Sequence, residues 1–150
     1  MKFYDREAEV KELQRLDDLA GQVAQFTVLM GRRRTGKTTL MTEALKGKRY
    51  LYFFIGKKAE PLQCIEFQRH AEEKLGLHIY GQLTSFASLL EEILIFSKKQ
   101  KVTIIIDEFQ RLEDIGDGII SDIQKAWDKH QGEAHVHLIA CGSIYNMMKR

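Results

Sequence analysis

Residues 31–39 read GRRRTGKTT, and this stretch decides what kind of fold the chain can adopt. Gly31, Gly36, Lys37 and Thr38 match the pattern G-x-x-x-x-G-K-S/T of phosphate-binding loops. Glycines let the backbone curl so that successive N–H groups point inward at phosphate oxygens. An apolar run of strand type precedes the stretch and an amphipathic run follows it, which is the context that such a loop requires. A flexible basic turn that contains two glycines is the alternative interpretation.

Each position of this loop has a predicted role. The helix predicted to begin near Lys37 would place its positive dipole end at the phosphates. The Lys37 ammonium would reach the β- and γ-phosphates, and the Thr38 hydroxyl would ligate Mg²⁺. The three arginines would supply mainly backbone amides, while their side chains point to solvent or toward a lid or partner. The residues predicted to contact nucleotide are Gly31, Arg32, Arg33, Arg34, Thr35, Gly36, Lys37, Thr38 and Thr39.

Length and composition indicate one ordinary globular domain. The chain has 150 residues, of which 44% are hydrophobic and 29% charged, and a formal net charge of +2. A dedicated nucleic-acid binder usually carries a large basic excess, which this balance does not provide. Cys64 and Cys141 lack metal-like spacing, so we expect buried, reduced thiols. No run resembles a signal peptide or a membrane span, so we expect a cytoplasmic protein with no membrane partner.

Apolar periodicity predicts helices that alternate with strands. Such alternation indicates an α/β fold, with a parallel sheet, right-handed crossovers and helices on both faces. Ligands of these sheets bind at the carboxyl ends of the strands. The predicted order is a helix over 6–20 capped by Asp5, a buried strand over 25–30, a helix over 37–46, a strand over 49–55, a helix over 61–75 ending at Gly76, a helix capped by Thr84 or Ser85, a strand over 102–106, a helix over 119–127 and a strand over 136–141.

A pair of acids follows the apolar run VTIII at residues 102–106. Asp107 could hold the hydration shell of Mg²⁺ opposite Thr38. Glu108 beside it could orient and polarise an attacking water. Any strand can end in a solvated carboxylate, so the pair alone is equally consistent with a surface turn. Downstream of a phosphate loop in an alternating pattern, it indicates a metal-binding and catalytic pair.

Ser143 is a third candidate, because it follows the last predicted strand. A hydroxyl there could lie between the γ-phosphate and the water held by Glu108. The dipeptide Gly142-Ser143 could equally begin a turn or cap a helix, and both interpretations stay open.

Together these motifs resemble the P-loop ATPases of the AAA+ and STAND superclass, and in particular the bacterial and archaeal AAA-type ATPase family in which GRRRxGKT is usual. The segment FYDRE at residues 3–7 resembles that family's opening F-x-x-R-E segment, which implies that Phe3 and Arg6 lie near the adenine pocket. Asp107-Glu108 resembles its Walker B pair, and Ser143 resembles its sensor 1 serine. The residues YFF at 52–54 resemble its second strand.

The resemblance implies a three-layer α/β/α P-loop NTPase with a parallel sheet of order 5-1-4-3-2, in which the sensor strand lies between the P-loop and Walker B strands. ATP and Mg²⁺ are the implied cofactors. One departure is Ile144, which stands where family members often have a second small polar residue. The chain also stops at Arg150, where a further helix, the fifth strand, a helical lid and an arginine finger are expected. Residues 1–150 are therefore expected to be a P-loop ATPase domain truncated at its C-terminal end.

Two functions fit these residues. The first is Mg²⁺-dependent ATP binding and hydrolysis that drives or gates a conformational change, with Lys37, Glu108 and Ser143 as catalytic residues and Thr38 and Asp107 as metal ligands. The second is a nucleotide-dependent switch or recognition module that has negligible turnover alone and acts on DNA or a protein partner. A small-molecule kinase is disfavoured, because a water-polarising glutamate would waste ATP. The oligomeric state stays open.

Three further features are predicted to be structural. His135 and His137 could form a metal pair on one strand face, but with no third ligand we expect exposed or partly packed side chains. Trp127 continues a helical apolar stripe and is expected to anchor the core. Residues 98–101 (KKQK) are expected to form a solvated connection.

Overall fold

Six helices and four strands make up the described part of the chain in the computed structural model. That part comprises the backbone of residues 3–31 and 36–143 and the side chains of residues 7–31, 36 and 38–142. The elements in chain order are α1 (Phe3–Leu19), β1 (Gln25–Gly31), α2 (Lys37–Ala44), β2 (Leu51–Phe54), α3 (Glu60–Leu75), α4 (Phe86–Phe96), β3 (Val102–Asp107), α5 (Arg111–Ile115), α6 (Ile119–His130) and β4 (Val136–Ser143).

The four strands form one sheet in the order β1-β4-β3-β2. Every neighbouring pair is parallel. Helices therefore connect the strands as crossovers, as the alternating pattern predicts. The position of β4 between β1 and β3 confirms the order that the family resemblance implies for these four strands. The fold class, α/β with a parallel sheet, is confirmed.

Helices cover the sheet from both sides and give it two separate cores. On one face, α3, α4 and α6 pack against β2, β3 and β4. On the other face, α1 and α2 pack against β3 and β4 through Leu13, Leu40, Ile105 and Ile139, each at most 3% exposed. These two cores define the three layers of the fold. Among the described residues, no helix combines the length and apolarity needed to cross a bilayer.

The prediction of a buried strand over residues 25–30 is wrong. Phe26, Val28 and Met30 are 50%, 57% and 40% exposed. The reason is position, because β1 pairs with β4 alone in the described sheet and so forms one of its edges. Trp127 of α6 contacts the Phe26 ring, with 5.7 Å between centroids. Trp127 is itself only half-buried, so it packs at the margin of the core instead of anchoring it.

Two predicted helix caps, at Ser85 and Gly76, are confirmed, and the one at Asp5 is not. Ser85 caps α4, since its hydroxyl accepts a hydrogen bond from the Ser88 backbone N–H at 3.1 Å. Gly76 ends α3 in the left-handed conformation, with φ of 72° and its N–H bonded to the Glu72 carbonyl. Asp5 is the exception, because α1 already includes Phe3 and so Asp5 lies inside the helix.

A buried aspartate fastens α1 to the amino-end edge of the sheet. Asp17 is fully buried, and its Oδ1 accepts hydrogen bonds from His137 Nδ1 at 2.9 Å and Thr103 Oγ1 at 2.7 Å. Its Oδ2 accepts from Lys101 Nζ at 2.5 Å and from Lys48 Nζ at 3.1 Å. Burial alone would raise the pKa of Asp17, but the hydrogen bonds from His137, Lys101 and Thr103 outweigh it and hold that pKa far below its usual range. Asp17 is therefore ionised within the fold at neutral pH.

The same cluster corrects two predictions from the sequence. His137 is fully buried, with Nε2 lying 2.7 Å from Thr27 Oγ1, so it is neither exposed nor partly packed. Lys101 is bound to Asp17, so the segment over 98–101 is not wholly solvated. Both contacts have the same physical reason. The Asp17 carboxylate is buried, and a buried charge is stable only when hydrogen bonds such as those from His137 and Lys101 compensate for the lost water. His137 is a structural residue in this fold.

Candidate nucleotide-binding site

Three predicted site positions lie close together at the carboxyl ends of the strands. Gly31, the last residue of β1, pairs with Ser143, the last residue of β4. Asp107 ends β3 one residue beyond the pair formed by Ile106 and Ala140. The backbone therefore brings the start of the phosphate-loop pattern, the acidic pair and Ser143 together on three neighbouring strands. Because strand edges of this kind hold ligands in parallel sheets, this is the candidate site.

The helix after the loop begins as the glycine pattern predicts. Gly36 is the N-cap of α2 and has φ of 88°, a left-handed conformation that glycine adopts without strain. The Leu40 N–H donates to the Gly36 carbonyl at 2.9 Å, which closes the first turn. Thr38 and Thr39 are both exposed in this turn. Thr42 Oγ1 donates to the Thr38 carbonyl at 2.7 Å, a side-chain contact that spans the first turn of α2.

Several predicted site residues lie outside the described residues, and their roles stay predictions. The helix α1, whose first turns include Phe3 and Arg6, packs against α2 and so lies beside the loop's helix. The whole residues concerned are Arg32, Arg33, Arg34 and Thr35. The side chains concerned are those of Phe3, Arg6, Lys37 and Ser143.

The Asp107 carboxylate is hydrogen-bonded at both oxygens. Its Oδ2 accepts from the Tyr52 hydroxyl of β2 at 2.5 Å, and its Oδ1 accepts from the Glu108 backbone N–H at 2.9 Å. Burial, and next the hydrogen bond and charge of Asp107, raise the pKa of Tyr52 well above its usual range. The phenol is therefore neutral at neutral pH and available as the donor.

Glu108 has a left-handed backbone, with φ of 58°. It is the one non-glycine residue with positive φ among those described. An L-residue in this region costs on the order of 1–2 kcal/mol, so neighbouring contacts must hold the turn in place. The turn directs the Glu108 carboxylate to Gln110, whose Nε2 donates to Oε2 at 3.1 Å.

Gln110 lies between the acidic pair and β4. It is 8% exposed, and its Oε1 is buried with no hydrogen-bond partner within the described residues. A Cβ at Gly142 would lie only 2.8 Å from this oxygen. The glycine therefore allows the Gln110 carboxamide to lie against the end of β4, one residue before Ser143.

Backbone contacts from both sides fix the segment that follows Asp107. The Phe109 N–H donates to the Cys141 carbonyl of β4 at 2.8 Å. Arg111 donates from a terminal guanidinium nitrogen to the Ile55 carbonyl at 3.0 Å, and its guanidinium lies 5.4 Å from the centre of the Phe54 ring. These contacts join the segment to β4 and to the end of β2, and they hold the strained turn at Glu108.

The candidate ligands Asp107 and Thr38 fit Mg²⁺ better than a metal ion that is bound by protein side chains alone. Among the described residues, no group of three or more His, Cys, Asp or Glu side chains could hold a metal ion. Mg²⁺ is usually held by one or two carboxylates or hydroxyls together with substrate phosphates. Asp107 and Thr38, an oxygen-only pair next to a phosphate-loop pattern, fit that mode.

Comparison with known families gives this site its context. An ATPase domain family found predominantly in Archaea matches residues 3–150. The chain belongs to this family. The match covers the phosphate-loop pattern, the acidic pair and Ser143, and it confirms the resemblance on which the sequence interpretation rests.

Two relatives of this ATPase domain come from one archaeon. An uncharacterized protein of Methanocaldococcus jannaschii is 30% identical over 146 residues, which are 97% of this chain and 30% of that protein. A second protein of the same organism is 41% identical over 63 residues, or 42% of this chain and 57% of that protein. The chain thus spans about a third of the first relative.

Solved structures share the fold of this ATPase domain at low sequence identity. A Walker-type ATPase of Pyrococcus abyssi superposes with a TM-score of 0.63 at 18% identity, over 93% of this chain and 45% of that one. The ORC2 protein of Aeropyrum pernix, solved as ADPNP-ADP complexes, superposes with a TM-score of 0.64 at 13% identity, over 99% of this chain and 43% of that one. The ORC1 protein of the same organism, solved in complex with DNA, superposes with a TM-score of 0.60 at 17% identity, over 96% of this chain and 40% of that one.

The sequence interpretation missed Tyr52 and Gln110 as members of this site. Tyr52 contributes to a strand pattern, and only the pairing of Phe54 with Asp107 shows that its hydroxyl comes within reach of that acid. Gln110 follows Glu108 by two residues, a spacing at which side chains on a helix do not face each other. The left-handed turn at Glu108 makes the contact, and no residue type in the sequence signals that turn.

Proposed function

We propose that this ATPase domain binds ATP with Mg²⁺ and hydrolyses it to drive or gate a conformational change. The observation that carries the proposal is the register at the sheet edge, which pairs Gly31 with Ser143 and puts Asp107 on the next strand. A loop that begins at Gly31 and ends at Gly36 would then lie over the acidic pair. Membership in an ATPase domain family supports the same function.

In this proposal each motif has one task. Backbone amides of residues 31–39 and the Lys37 ammonium hold the phosphates and offset the charge that develops on them during transfer. Thr38 and Asp107 would hold Mg²⁺, which when bound would offset negative charge on the phosphates. Glu108 orients and polarises the attacking water.

The remaining predicted residues act around this centre. Ser143, at the end of β4, would contact the γ-phosphate or the water. Phe3 and Arg6, at the start of α1, would line the adenine pocket. Arg32, Arg33 and Arg34 would contribute backbone amides, with side chains turned away from the phosphates.

A second function is favoured by one contact. The hydrogen bond from Gln110 Nε2 occupies Oε2 of Glu108, so one carboxylate oxygen is already engaged in this structure. A domain in which this hydrogen bond holds the Glu108 carboxylate away from the attacking water would bind nucleotide with little turnover and act as a switch for a protein or DNA partner. A neighbour of similar fold, the ORC1 protein, was solved with DNA. Steady-state phosphate release, measured with and without DNA, separates the two functions.

A nucleotide titration tests the proposed site. Calorimetry with ATP and Mg²⁺ should give saturable binding to the unaltered chain and none to Lys37→Ala, because the lysine faces the phosphates in the proposal. Lys46→Ala is the matched control, since Lys46 is an exposed lysine just beyond α2. Equal ATP affinity in the chain and in Lys37→Ala would contradict the site assignment.

A further inference from the structure

The Asp107 carboxylate is held from outside its own strand. Phe54 pairs with Asp107 across the β2–β3 register, so Tyr52 lies two residues earlier on the same face of β2. Tyr52 is 38% exposed, and its hydroxyl reaches along that face to Asp107 Oδ2 at 2.5 Å. With the Glu108 N–H on Oδ1, the two donors fix the plane of the carboxylate.

This arrangement leaves the Asp107 carboxylate able to accept further hydrogen bonds or to bind a metal ion. An ionised carboxylate has about four lone-pair sites on its two oxygens, and the described donors use one on each oxygen. One site on each oxygen therefore remains for a metal ion or a metal-bound water. Groups that hydrogen-bond a ligating carboxylate orient it, and their removal typically costs about 10–100-fold in metal affinity or activity.

We propose that Tyr52 is a positioning residue for Mg²⁺ in this site, and that its hydroxyl holds the Asp107 carboxylate in the orientation that the Mg²⁺–nucleotide complex requires. The inference rests on the proposed function, because it takes Asp107 as the metal ligand. It predicts a role for the hydroxyl alone. The aromatic ring, which contributes to the exposed face of β2, is not needed for that role.

Tyr52→Phe tests the inference, since it deletes the hydroxyl and keeps the ring. The measurement is calorimetric titration of ADP at a series of Mg²⁺ concentrations, which reports metal dependence without any turnover. The Mg²⁺ concentration that gives half of the maximal change in ADP affinity should rise about 10-fold in Tyr52→Phe. The ADP affinity measured in EDTA, without free Mg²⁺, should stay unchanged. Tyr50→Phe is the control, because Tyr50 lies two residues earlier and its hydroxyl has no hydrogen-bond partner within the described part of the chain.

A double variant separates a positioning role from a general loss of stability. In an Asp107→Ala background the acceptor is gone, so adding Tyr52→Phe should leave the Mg²⁺ dependence where Asp107→Ala alone put it. An additive further loss would overturn the inference. So would an unchanged Mg²⁺ dependence in the single variant Tyr52→Phe. If the unaltered chain binds ADP with no Mg²⁺ dependence, the proposed function fails, and the inference fails with it.

Discussion

The Gln110 carboxamide joins the acid pair to the last strand of the sheet. It donates from Nε2 to Glu108 Oε2 at 3.1 Å, and its Oε1 packs against the backbone at Gly142. Ser143, the predicted γ-phosphate contact, is the next residue along β4. The carboxamide therefore connects Glu108 to the residue that precedes Ser143 on β4.

Replacement of Gln110 by leucine should raise ATP turnover by about fivefold and leave ATP affinity unchanged. Leucine removes the hydrogen bond that engages the Glu108 carboxylate, and a factor of this size corresponds to a net hydrogen bond of about 1 kcal/mol. It also removes the buried Oε1 that has no partner within the described residues. Steady-state phosphate release at saturating ATP is the measurement.

The control for this variant is Gln124→Leu, which changes an exposed glutamine on α6. Its turnover should match that of the unaltered chain. A Gln110→Leu protein that turns over more slowly than the control would show that the hydrogen bond positions Glu108 for catalysis instead of restraining it.

Glu108→Gln should keep ATP binding and lose hydrolysis by at least about 100-fold. The amide cannot accept the proton of an attacking water, and general-base groups contribute about 100- to 10,000-fold to such reactions. The measurement pairs calorimetric ATP binding with single-turnover hydrolysis. Glu92→Gln, which changes an exposed acid on α4, is the control. Hydrolysis at the unaltered rate in Glu108→Gln would remove Glu108 from the catalytic role.

The parallel sheet and the meeting of the three motifs could be predicted from the alternation of strands and helices, whereas the strand order was implied by the family resemblance alone. Strands that alternate with helices give a parallel sheet, and a motif at each strand end must then lie at one edge. The exposure of β1 could not be predicted in this way, because burial depends on what lies beside Phe26 and Val28 in space. An apolar strand has the same composition at an edge as in the middle of a sheet.

Side-chain partners far apart in the sequence were also beyond prediction. Asp17 and His137 are 120 residues apart, and a hydrophobic pattern describes both only as positions on a helix and on a strand. Their contact follows from the packing of α1 beneath the amino ends of β3 and β4. The same holds for Tyr52 and Asp107, whose contact depends on the β2–β3 register.

Asp17→Asn should lower the free energy of unfolding by about 3–5 kcal/mol, the usual effect of removing one partner from a buried charged cluster. The asparagine has no charge to pair with the partly exposed ammonium groups of Lys101 and Lys48, and one oxygen acceptor is replaced by a donor at a fully buried position. Urea denaturation followed by Trp127 fluorescence measures the change. Asp18→Asn is the matched control, since the Asp18 side chain is 77% exposed and bonds only the Lys48 ammonium among the described residues. Its effect should stay within about 0.5 kcal/mol, and equal losses in the two variants would contradict the assigned role of Asp17.

The Asp17 cluster should also make the free energy of unfolding decrease at low pH. Hydrogen bonds from His137, Lys101 and Thr103 outweigh burial and hold the pKa of Asp17 in the folded chain far below its value of about 3.9 in the unfolded chain. Below about pH 4 the unfolded chain therefore binds a proton at Asp17 that the folded chain does not. The stabilisation is present above about pH 4 and declines as the pH falls below it, by up to about 1.4 kcal/mol per pH unit from this group. Urea denaturation from pH 7 to pH 2 should give a steeper decline in the unaltered chain and in Asp18→Asn than in Asp17→Asn, and parallel curves for all three proteins would contradict the expectation.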